Sequence, residues 1–200
     1  MNRSILKGAF DLQIRKATKK DAPAIVSLFN IIVDEMMLET IKRIDRSKLN
    51  IVIQNSFETP EFLGKWSQTY VATKNNLVVG FLYGYPAENE EKMNDLMHSF
   101  LKIAGLDSSL KIFTDLETLP NEWYLNSIVV DPTYQNQGIG SELLALTNSI
   151  VKDQNIEKMG LNVDWENPRA EKLYKSLGFE KVGFKILGNH NYNHLQRKIQ

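Results

Sequence analysis

The sequence predicts an α/β fold (α+β by some schemes) in which helices flank a mixed β-sheet. Two observations support this prediction. Apolar residues recur at helical spacing in several segments, and short runs rich in Val, Ile, Tyr and Phe stand between them. The order of the segments is strand, helices, hairpin and helix, then alternating strands and helices. This order indicates a layered sheet of mixed direction.

The first part of the chain predicts one strand and two helices. Leu12–Arg15 alternates apolar and polar residues, as a half-buried strand does. Thr18 is a candidate N-cap for a first helix, whose apolar stripe runs over Ile25–Met36. A second helical stripe, Leu49–Phe57, should end before Pro60.

A hairpin and a third helix are predicted next. Thr69–Thr73 and Leu77–Tyr83 are strand-like, and the linker 74–76 contains two asparagines, which tolerate positive φ in tight turns. Met93–Ala104 has the apolar spacing of a helix. This helix lies in a long connection, residues 86–120, and connections of that length are usually functional or disordered.

The last part of the chain alternates strands with helices. The strongest strand pattern is Trp123–Val130, which Asp131-Pro132 closes. The elements predicted after it are a helix with an apolar face over Leu143–Val151, a strand at Met159–Val163, a helix at Pro168–Leu177 ended by Gly178, and closing strands at Phe179–Leu187 and Leu195–Ile199.

The composition narrows the classes of site and partner. The chain has no cysteine, which excludes disulfides, a cysteine nucleophile and thiolate metal sites, and we expect no metal. Lys plus Arg total 24 and Asp plus Glu total 24, so net charge gives no general attraction to nucleic acid or to a membrane. Neither a signal peptide nor a run of about 20 apolar residues is present in this sequence. We therefore expect a cytoplasmic protein.

A loop with two glycines, Gln135–Gly140, connects the strongest strand to an amphipathic helix. Glycine lets the backbone turn tightly and approach a ligand without a Cβ atom in the way. The first turn of the helix offers unpaired N–H groups and the positive end of the helix dipole to a phosphate. We interpret this loop as a pyrophosphate cradle. No Lys-Ser or Lys-Thr follows it, so it is not a P-loop, and no Gly-rich loop follows the first strand as a dinucleotide-binding domain would require.

A second segment, 167–179, places Ala170, Leu173, Tyr174 and Leu177 on one helix face. A tyrosine in such a position is more often a packing residue than a catalytic one. Together with the glycine loop, however, this segment resembles the GNAT superfamily of N-acetyltransferases. The resemblance covers residues 123–184 and rests on Val129-Val130-Asp131-Pro132, Gln135-x-x-Gly138-x-Gly140 and Asn167-x-x-Ala170-x-x-Leu173-Tyr174-x-x-x-Gly178-Phe179.

The resemblance implies a splayed sheet in which the strands Trp123–Val130 and Met159–Val163 part. It implies one domain over residues 1–200, with 86–120 as an insertion between the hairpin strand and the central strand. It also implies acetyl-CoA as co-substrate, with its pantetheine arm against the backbone of Ile128, Val129 and Val130. The pyrophosphate would be held by Gln135, Asn136, Gln137, Gly138, Ile139, Gly140 and Ser141.

Two further roles come from the resemblance. Asn167 would touch the pantetheine or the nucleotide end of the cofactor, and Tyr174 would protonate the departing thiolate. The amine would attack the thioester directly, and a strand N–H would stabilise the oxyanion. No covalent enzyme intermediate is needed, which fits the absence of cysteine.

The general base is left unassigned by the sequence. Many relatives carry a Glu within the central strand, whereas residues 123–128 contain no carboxylate. Charged residues near this strand are more often solvated, His98 is predicted on the polar side of its helix, and the other two histidines lie in a segment that reads as a polar turn. The candidates are Glu117, Glu122, Asn126 through a water molecule, His98, His190 and His194.

The acceptor and the role of the insertion are also open. Residues 86–120 could form a wall or lid of the amine pocket, with Phe113, Trp123 and Tyr124 nearby, or a helix docked at the domain edge or in a dimer interface. We expect a small-molecule primary amine as acceptor and a homodimer. The alternatives are a protein acetyltransferase acting on Lys or an N-terminus, and a sensor module that binds acetyl-CoA without catalysis.

Overall fold

The computed structural model describes residues 12–36, 39–113 and 115–199 of the chain. Within these ranges the strands are β1 (Leu12–Lys16), β2 (Gln68–Lys74), β3 (Leu77–Pro86), β4 (Trp123–Val130), β5 (Lys158–Asp164), β6 (Glu180–Leu187) and β7 (His190–Lys198). They form one sheet in the order β1-β2-β3-β4-β5-β7-β6. Only the β4–β5 pair is parallel in this part of the chain, so the sheet is mixed, as predicted.

The helices pack on both faces of the sheet and give a three-layered molecule. They are α1 (Ala22–Met36), α2 (Glu39–Lys42), α3 (Arg46–Phe57), α4 (Glu90–Ser99), α5 (Ile139–Asp153) and α6 (Pro168–Ser176). Apolar side chains of α1, α3 and α4 share one buried cluster with β3, which we call the α1 face. Side chains of α5 and α6 share a second cluster on the opposite side of the sheet, which we call the α5 face.

The first helix begins after a tight turn rather than directly after Thr18. The carboxylate of Asp21 accepts hydrogen bonds from the backbone N–H and the hydroxyl of Thr18, at 2.8 and 2.9 Å. Arg15 donates to both oxygens of the same carboxylate. Lys19–Asp21 is therefore a 3₁₀ turn, and α1 follows it from Ala22.

The helix predicted at Met93–Ala104 starts earlier and ends at Ser99. The N–H groups of Phe100 and Leu101 bond to carbonyls three residues back, which tightens the chain into turns that close at Gly105 with φ +67°. Leu101 and Ala104 are nevertheless buried against the α1 face. Their burial explains why the apolar stripe extends beyond the helix.

The last strand is longer than predicted. The polar run from His190 to His194 reads as a turn, but it forms the first half of β7, paired with β5 on one side and β6 on the other. The turn is confined to Gly188 and Asn189, since Leu187 pairs with His190 and Gly188 has φ +59°. Asn193 and His194 of this strand are buried and bond to polar side chains of other elements, which is why the alternation is hidden in the sequence.

The sheet splays between its two parallel strands. The register of β4 and β5 contains only two pairs, Trp123 with Met159 and Tyr124 with Gly160, at the start of both strands. Beyond Tyr124 the two strands diverge. Within the described ranges, no strand pairs with the edge of β4 that faces β5 over residues 125–130. The predicted splay is confirmed.

Candidate active site

The gap between β4 and β5 opens beside the loop that leads into α5. Ile128 and Val130 lie on the α5 face of β4 and are partly exposed, whereas Val129 points to the other face and is buried. Backbone groups on the open edge of β4 are available to a ligand in extended conformation, as they would be to another strand.

The loop itself is built to leave its backbone accessible. Asn136 and Gly138 have φ of 60° and 83°, and Gly138 is the N-cap of α5. The first intrahelical bond runs from the N–H of Glu142 to the carbonyl of Gly138, at 3.0 Å. The preceding N–H groups of Ile139, Gly140 and Ser141 therefore have no acceptor within the helix.

The side chains around this loop hold it in place and leave the helix N-terminus open. Gln135 donates to the carbonyl of Val130 at 3.2 Å, and Lys74 donates to the side chain of Gln137 at 2.7 Å. The side chains of Gln135, Asn136, Gln137 and Ser141 are exposed. Exposed N–H groups at a helix N-terminus are suited to a phosphate.

The predicted cofactor contact Asn167 and the predicted acid Tyr174 lie at the N-cap of α6 and within α6. Asn167 caps this helix, and its side-chain oxygen accepts from the N–H of Ala170 at 3.0 Å. Tyr174 packs against the cluster of the α5 face, with its ring edge-on to Phe179 at 5.6 Å between centroids. Burial raises the pKa of Tyr174 to about 12, so its hydroxyl is protonated at neutral pH.

A bulge in β4 turns two neighbouring side chains to the other face. Tyr83 pairs with Ser127 and Gly84 pairs with Leu125, so Asn126 is an extra residue without a partner on β3. Asn126 and Ser127 consequently both line a pocket on the α1 face, and Ser127 donates to the side chain of Asn126 at 2.8 Å.

This pocket has a volume of about 70 Å³ and is lined mainly by aromatic and aliphatic side chains. Tyr83 and Tyr85 both face it because they alternate along β3, and Met93 and Met97 of α4 close another side. Four polar side chains complete the lining: Asn94, Glu117, Asn126 and Ser127. The insertion thus forms a wall of this pocket.

Glu117 is the only lining residue of this pocket with an acidic side chain. Burial raises the pKa of its carboxyl from 4.5 to about 7, while a hydrogen bond from Tyr124 opposes the rise. The hydroxyl of Tyr124 donates to the carboxylate at 2.5 Å. Burial and the charge of Glu117 raise the pKa of Tyr124, so the proton of this hydrogen bond stays on the tyrosine.

The other base candidates lie elsewhere. Glu122 is not a solvated surface charge, because it is 1% exposed and lies in contact with His194, which is fully buried. His190 is on β7, where Nδ1 lies 3.1 Å from Asp164. His98 is on α4, outside the lining of the pocket. The sequence offered Glu117 as one candidate among several but could not single it out, because its burial depends on side chains from β3 and β4 that meet an irregular loop.

One group of side chains at the open end of β5 has the spacing of metal ligands. Atoms of Asp164, Glu166 and His190 that could bind a metal lie within 4.8 Å of one another. Their carboxylate oxygens and imidazole nitrogen are ligand types that suit several divalent cations.

Among the helices that the structure describes, none combines the length and the apolar character that a membrane span needs.

The chain is similar to several known acetyltransferases. A solved structure of an acetyltransferase is 34% identical, with a TM-score of 0.81, covering 94% of this chain and 100% of that one. A ribosomal protein bS18-alanine N-acetyltransferase of Haemophilus ducreyi is 34% identical over 70 residues, which are 35% of this chain and 48% of that protein. A thialysine N-epsilon-acetyltransferase of Bos taurus is 43% identical over 60 residues, 30% of this chain and 35% of that protein.

The match to these two curated relatives thus spans less than half of the length of each. The match to the family as a whole is longer, since residues 38–179 match the Acetyltransferase (GNAT) family. This range includes the splayed strands, the loop before α5 and the helix that carries Tyr174. The chain belongs to the GNAT family of acetyltransferases.

Proposed function

We propose that this protein transfers the acetyl group of acetyl-CoA to a primary amine of a small molecule, with Glu117 as general base. One observation carries the proposal. The strand β4 presents an open edge beside the loop of α5 and, through its bulge, turns Asn126 and Ser127 into a pocket that contains a carboxyl group. A thioester on one side of β4 and an amine on the other would meet at this strand.

The free edge of β4 and the loop fit an acyl-CoA molecule. The backbone of Ile128, Val129 and Val130 would bind the pantetheine arm as a strand binds its neighbour. The N–H groups from Gln135 to Ser141 would bind the pyrophosphate, and Gly138 has no atom within 4 Å of the place where a Cβ would stand. Asn167 would contribute its amide nitrogen, since its oxygen caps α6.

Glu117 has the properties that the acceptor side requires. An amine is protonated in neutral water and must lose a proton before it can attack. A carboxylate with a pKa of about 7 is largely ionised just above neutrality, yet is a stronger base than an ordinary glutamate. Glu117 would take the proton from the ammonium group, and the aromatic wall of the pocket would favour the neutral amine that results.

The transfer then needs one bond to form and one to break. The amine nitrogen bonds to the acetyl carbon, the carbon–sulfur bond breaks, and the thiolate takes a proton from Tyr174. The proton that the nitrogen loses on forming the amide restores the Tyr174 hydroxyl. A backbone N–H of β4 at the bulge would stabilise the oxyanion, because the extra residue there has no partner on β3. The high pKa of Tyr174 keeps its proton in place until a thiolate forms beside it.

The shape of the pocket supports a small, slender acceptor. A volume of about 70 Å³ admits an amino group on a short chain, and the walls from β3, α4 and the loop at Phe113 enclose it. The names of the two relatives above point to a ribosomal protein alanine in one case and to the free amino acid thialysine in the other. The Nε amine of thialysine stands at the end of a side chain, whereas the alanine amine belongs to a protein, and the enclosed walls favour the small molecule.

The test is the release of CoA from acetyl-CoA, followed with a thiol reagent, over a panel of small amines and of peptides with free N-terminal or Lys amines. The protein adds no thiol of its own. Turnover on small amines that Glu117→Gln lowers at least ten-fold would support the proposal. Turnover on peptides alone would replace the acceptor with a protein, and acetyl-CoA binding without turnover on any amine would favour a sensor.

A further inference from the structure

The inference rests on the proposed role of Glu117 and concerns a chain of buried hydrogen bonds behind it. The chain runs from Glu117 through Tyr124 and Asn162 to His194 and Glu122, which lie on or beside three strands, β4, β5 and β7. It crosses the sheet where β4 and β5 are still paired, since Tyr124 pairs with Gly160. None of these contacts is needed to bind acetyl-CoA.

The direction of each bond follows from one carbonyl group. The side-chain nitrogen of Asn162 lies 3.0 Å from the backbone oxygen of Glu117, and a carbonyl oxygen can only accept. The same nitrogen lies 3.0 Å from the hydroxyl oxygen of Tyr124. Tyr124 therefore accepts from Asn162 and directs its own proton to the carboxylate of Glu117. Asn162 thus holds Glu117 at two points, directly at the backbone and through Tyr124 at the carboxylate.

The amide oxygen of Asn162 determines which ring nitrogen of His194 is protonated. This oxygen lies 2.7 Å from Nδ1 of His194, so Nδ1 must carry a proton. Nε2 of His194 then lies 3.0 Å from a carboxylate oxygen of Glu122, with both side chains fully buried. Two acceptors do not face each other in a buried site without a proton between them. The pair therefore shares one proton.

Two further donors bind the carboxyl group of this pair. The backbone N–H of Leu119 and the side chain of Gln196 donate to Glu122 at 2.8 and 2.7 Å, so both of its oxygens act as acceptors. A Cβ at position 160 would overlap with this carboxylate, so the glycine there leaves room for it. The site is thus built to hold a carboxylate against His194.

We propose that His194 is a positioning residue for the base: held by Glu122, it donates through Nδ1 to Asn162, and so keeps the Tyr124 hydroxyl directed at the Glu117 carboxylate. Without that donor the Asn162 amide could rotate, and Tyr124 would lose the bond that fixes its proton. Glu117 would then be a carboxylate with one hydrogen bond fewer.

The kinetic test is the pH dependence of kcat/KM, which should rise with pH as Glu117 ionises. The titratable groups around Glu117 are Tyr124 on β4, Tyr83 and Tyr85 on β3, Glu90 on α4, Asp115 in the preceding loop, Lys185 on β6 and Tyr192 on β7. None of them is altered in the variants below. A shift of the acidic limb in these variants therefore measures the effect of the hydrogen-bond chain on the ionisation of Glu117.

The variants are made in an E122Q background, so that no unpaired buried charge remains when His194 is replaced. E122Q alone should leave the acidic limb within about 0.3 pH units, because Nδ1 still donates to Asn162. His194→Leu in this background should move the limb up by about 1 unit and lower kcat/KM at pH 7 about ten-fold, since a lost hydrogen bond disfavours the ionised carboxylate. His194→Asn, which keeps a donor near the place of Nδ1, should restore most of both.

His190→Leu is the matched control, because His190 lies on the same strand and bonds to Asp164 outside the chain. The acidic limb of kcat/KM for His190→Leu should stay at the wild-type pH. His194 is a structural residue only if adding His194→Leu to E122Q leaves the pH of the acidic limb unchanged. The same conclusion follows if His194→Asn does not restore the pH of the limb. A loss of kcat/KM without a shift of the limb would overturn the proposal in the same way.

A second measurement does not depend on the folding of a His194 variant or on an acceptor, because variants of the other two histidines suffice for the assignment. The chain has three histidines, so ¹⁵N spectra of histidine-labelled wild-type protein can be assigned with single variants. Nδ1 of His194 should be protonated throughout pH 6–8. An unprotonated Nδ1 would overturn the direction of the chain. If instead Glu117→Gln retains full activity while Nδ1 is protonated, the proposed base is wrong and the hydrogen-bond chain is right.

Discussion

The hydroxyl oxygen of Tyr124 lies 2.5 Å from a carboxylate oxygen of Glu117. The two residues come from different elements, one from the central strand and one from the irregular end of the insertion. Their bond brings a carboxyl group to the wall of a largely apolar pocket and leaves it with a pKa of about 7. The chemistry that we propose depends on this pair.

The raised pKa of Glu117 should appear in the pH dependence of stability. Because the folded-state pKa of about 7 exceeds the ordinary 4.5, the folded protein binds this proton more tightly than the unfolded chain. The free energy of unfolding should therefore fall as pH rises from about 4.5 to about 7, by up to about 3 kcal/mol from this group. Urea unfolding of wild type and Glu117→Gln at pH 5 and pH 8 measures it, because all other groups are common to both. An equal difference between the two proteins at both pH values would show that the carboxyl is not perturbed.

Tyr124→Phe should leave less of Glu117 ionised at neutral pH and should also destabilise the fold. The hydrogen bond from Tyr124 lowers the pKa of Glu117, so its loss should raise that pKa further and move the acidic limb of kcat/KM upward. Asn162 also loses an acceptor, and we expect a cost of about 1–2 kcal/mol in the free energy of unfolding. An acidic limb at the wild-type position would mean that the bond does not tune Glu117.

Tyr174→Phe separates catalysis from packing. Phenylalanine keeps the edge-on contact with Phe179, at 5.6 Å between centroids, so stability should change little. If Tyr174 protonates the thiolate, kcat should fall about ten-fold or more while the KM for acetyl-CoA changes little. Steady-state CoA release measures both constants, and an unchanged kcat would remove Tyr174 from the reaction.

Gly138→Ala tests the proposed pyrophosphate site. Gly138 has φ +83°, a conformation that costs a residue with a Cβ about 1–2 kcal/mol, although no atom lies within 4 Å of that Cβ. The strain should alter the N-terminus of α5 and raise the KM for acetyl-CoA. Gly183→Ala on β6 is the matched control, because its Cβ also meets nothing within 4 Å and its φ is not positive. Equal effects of the two substitutions on KM would argue against a role for the loop.

The elements that we propose to bind acetyl-CoA could be predicted from local sequence, and the splayed strands are confirmed. A strand, a glycine turn and a helix N-terminus are adjacent along the chain, so residues 123–151 contain most of the elements of the proposed cofactor site. Trp123–Val130 is observed with the bounds predicted for it. The N-terminal strand and the first two long helices are also confirmed, because their apolar stripes are regular.

The proposed acceptor side could not be singled out from the sequence, because its residues come from loops and strands that only the folded sheet brings together. Glu117 of an irregular loop bonds to Tyr124, and Glu122 bonds to His194 in the middle of β7. Each of these side chains is polar and taken alone is typical of a surface. The pairing of β4 with β5, together with the register of β5 with β7 that pairs Asn162 with His194, brings the last pair together.

The most direct test of the central claim is the pH profile of kcat/KM for wild type and Glu117→Gln with acetyl-CoA and the best amine of the panel. The wild-type rate should rise with pH and be half-maximal near pH 7, since only the ionised carboxylate accepts a proton. Glu117→Gln should be slower by about 10²–10⁴-fold and should lack this limb. If the variant keeps the wild-type rate and the same limb, another group is the base and the account of this pocket is wrong.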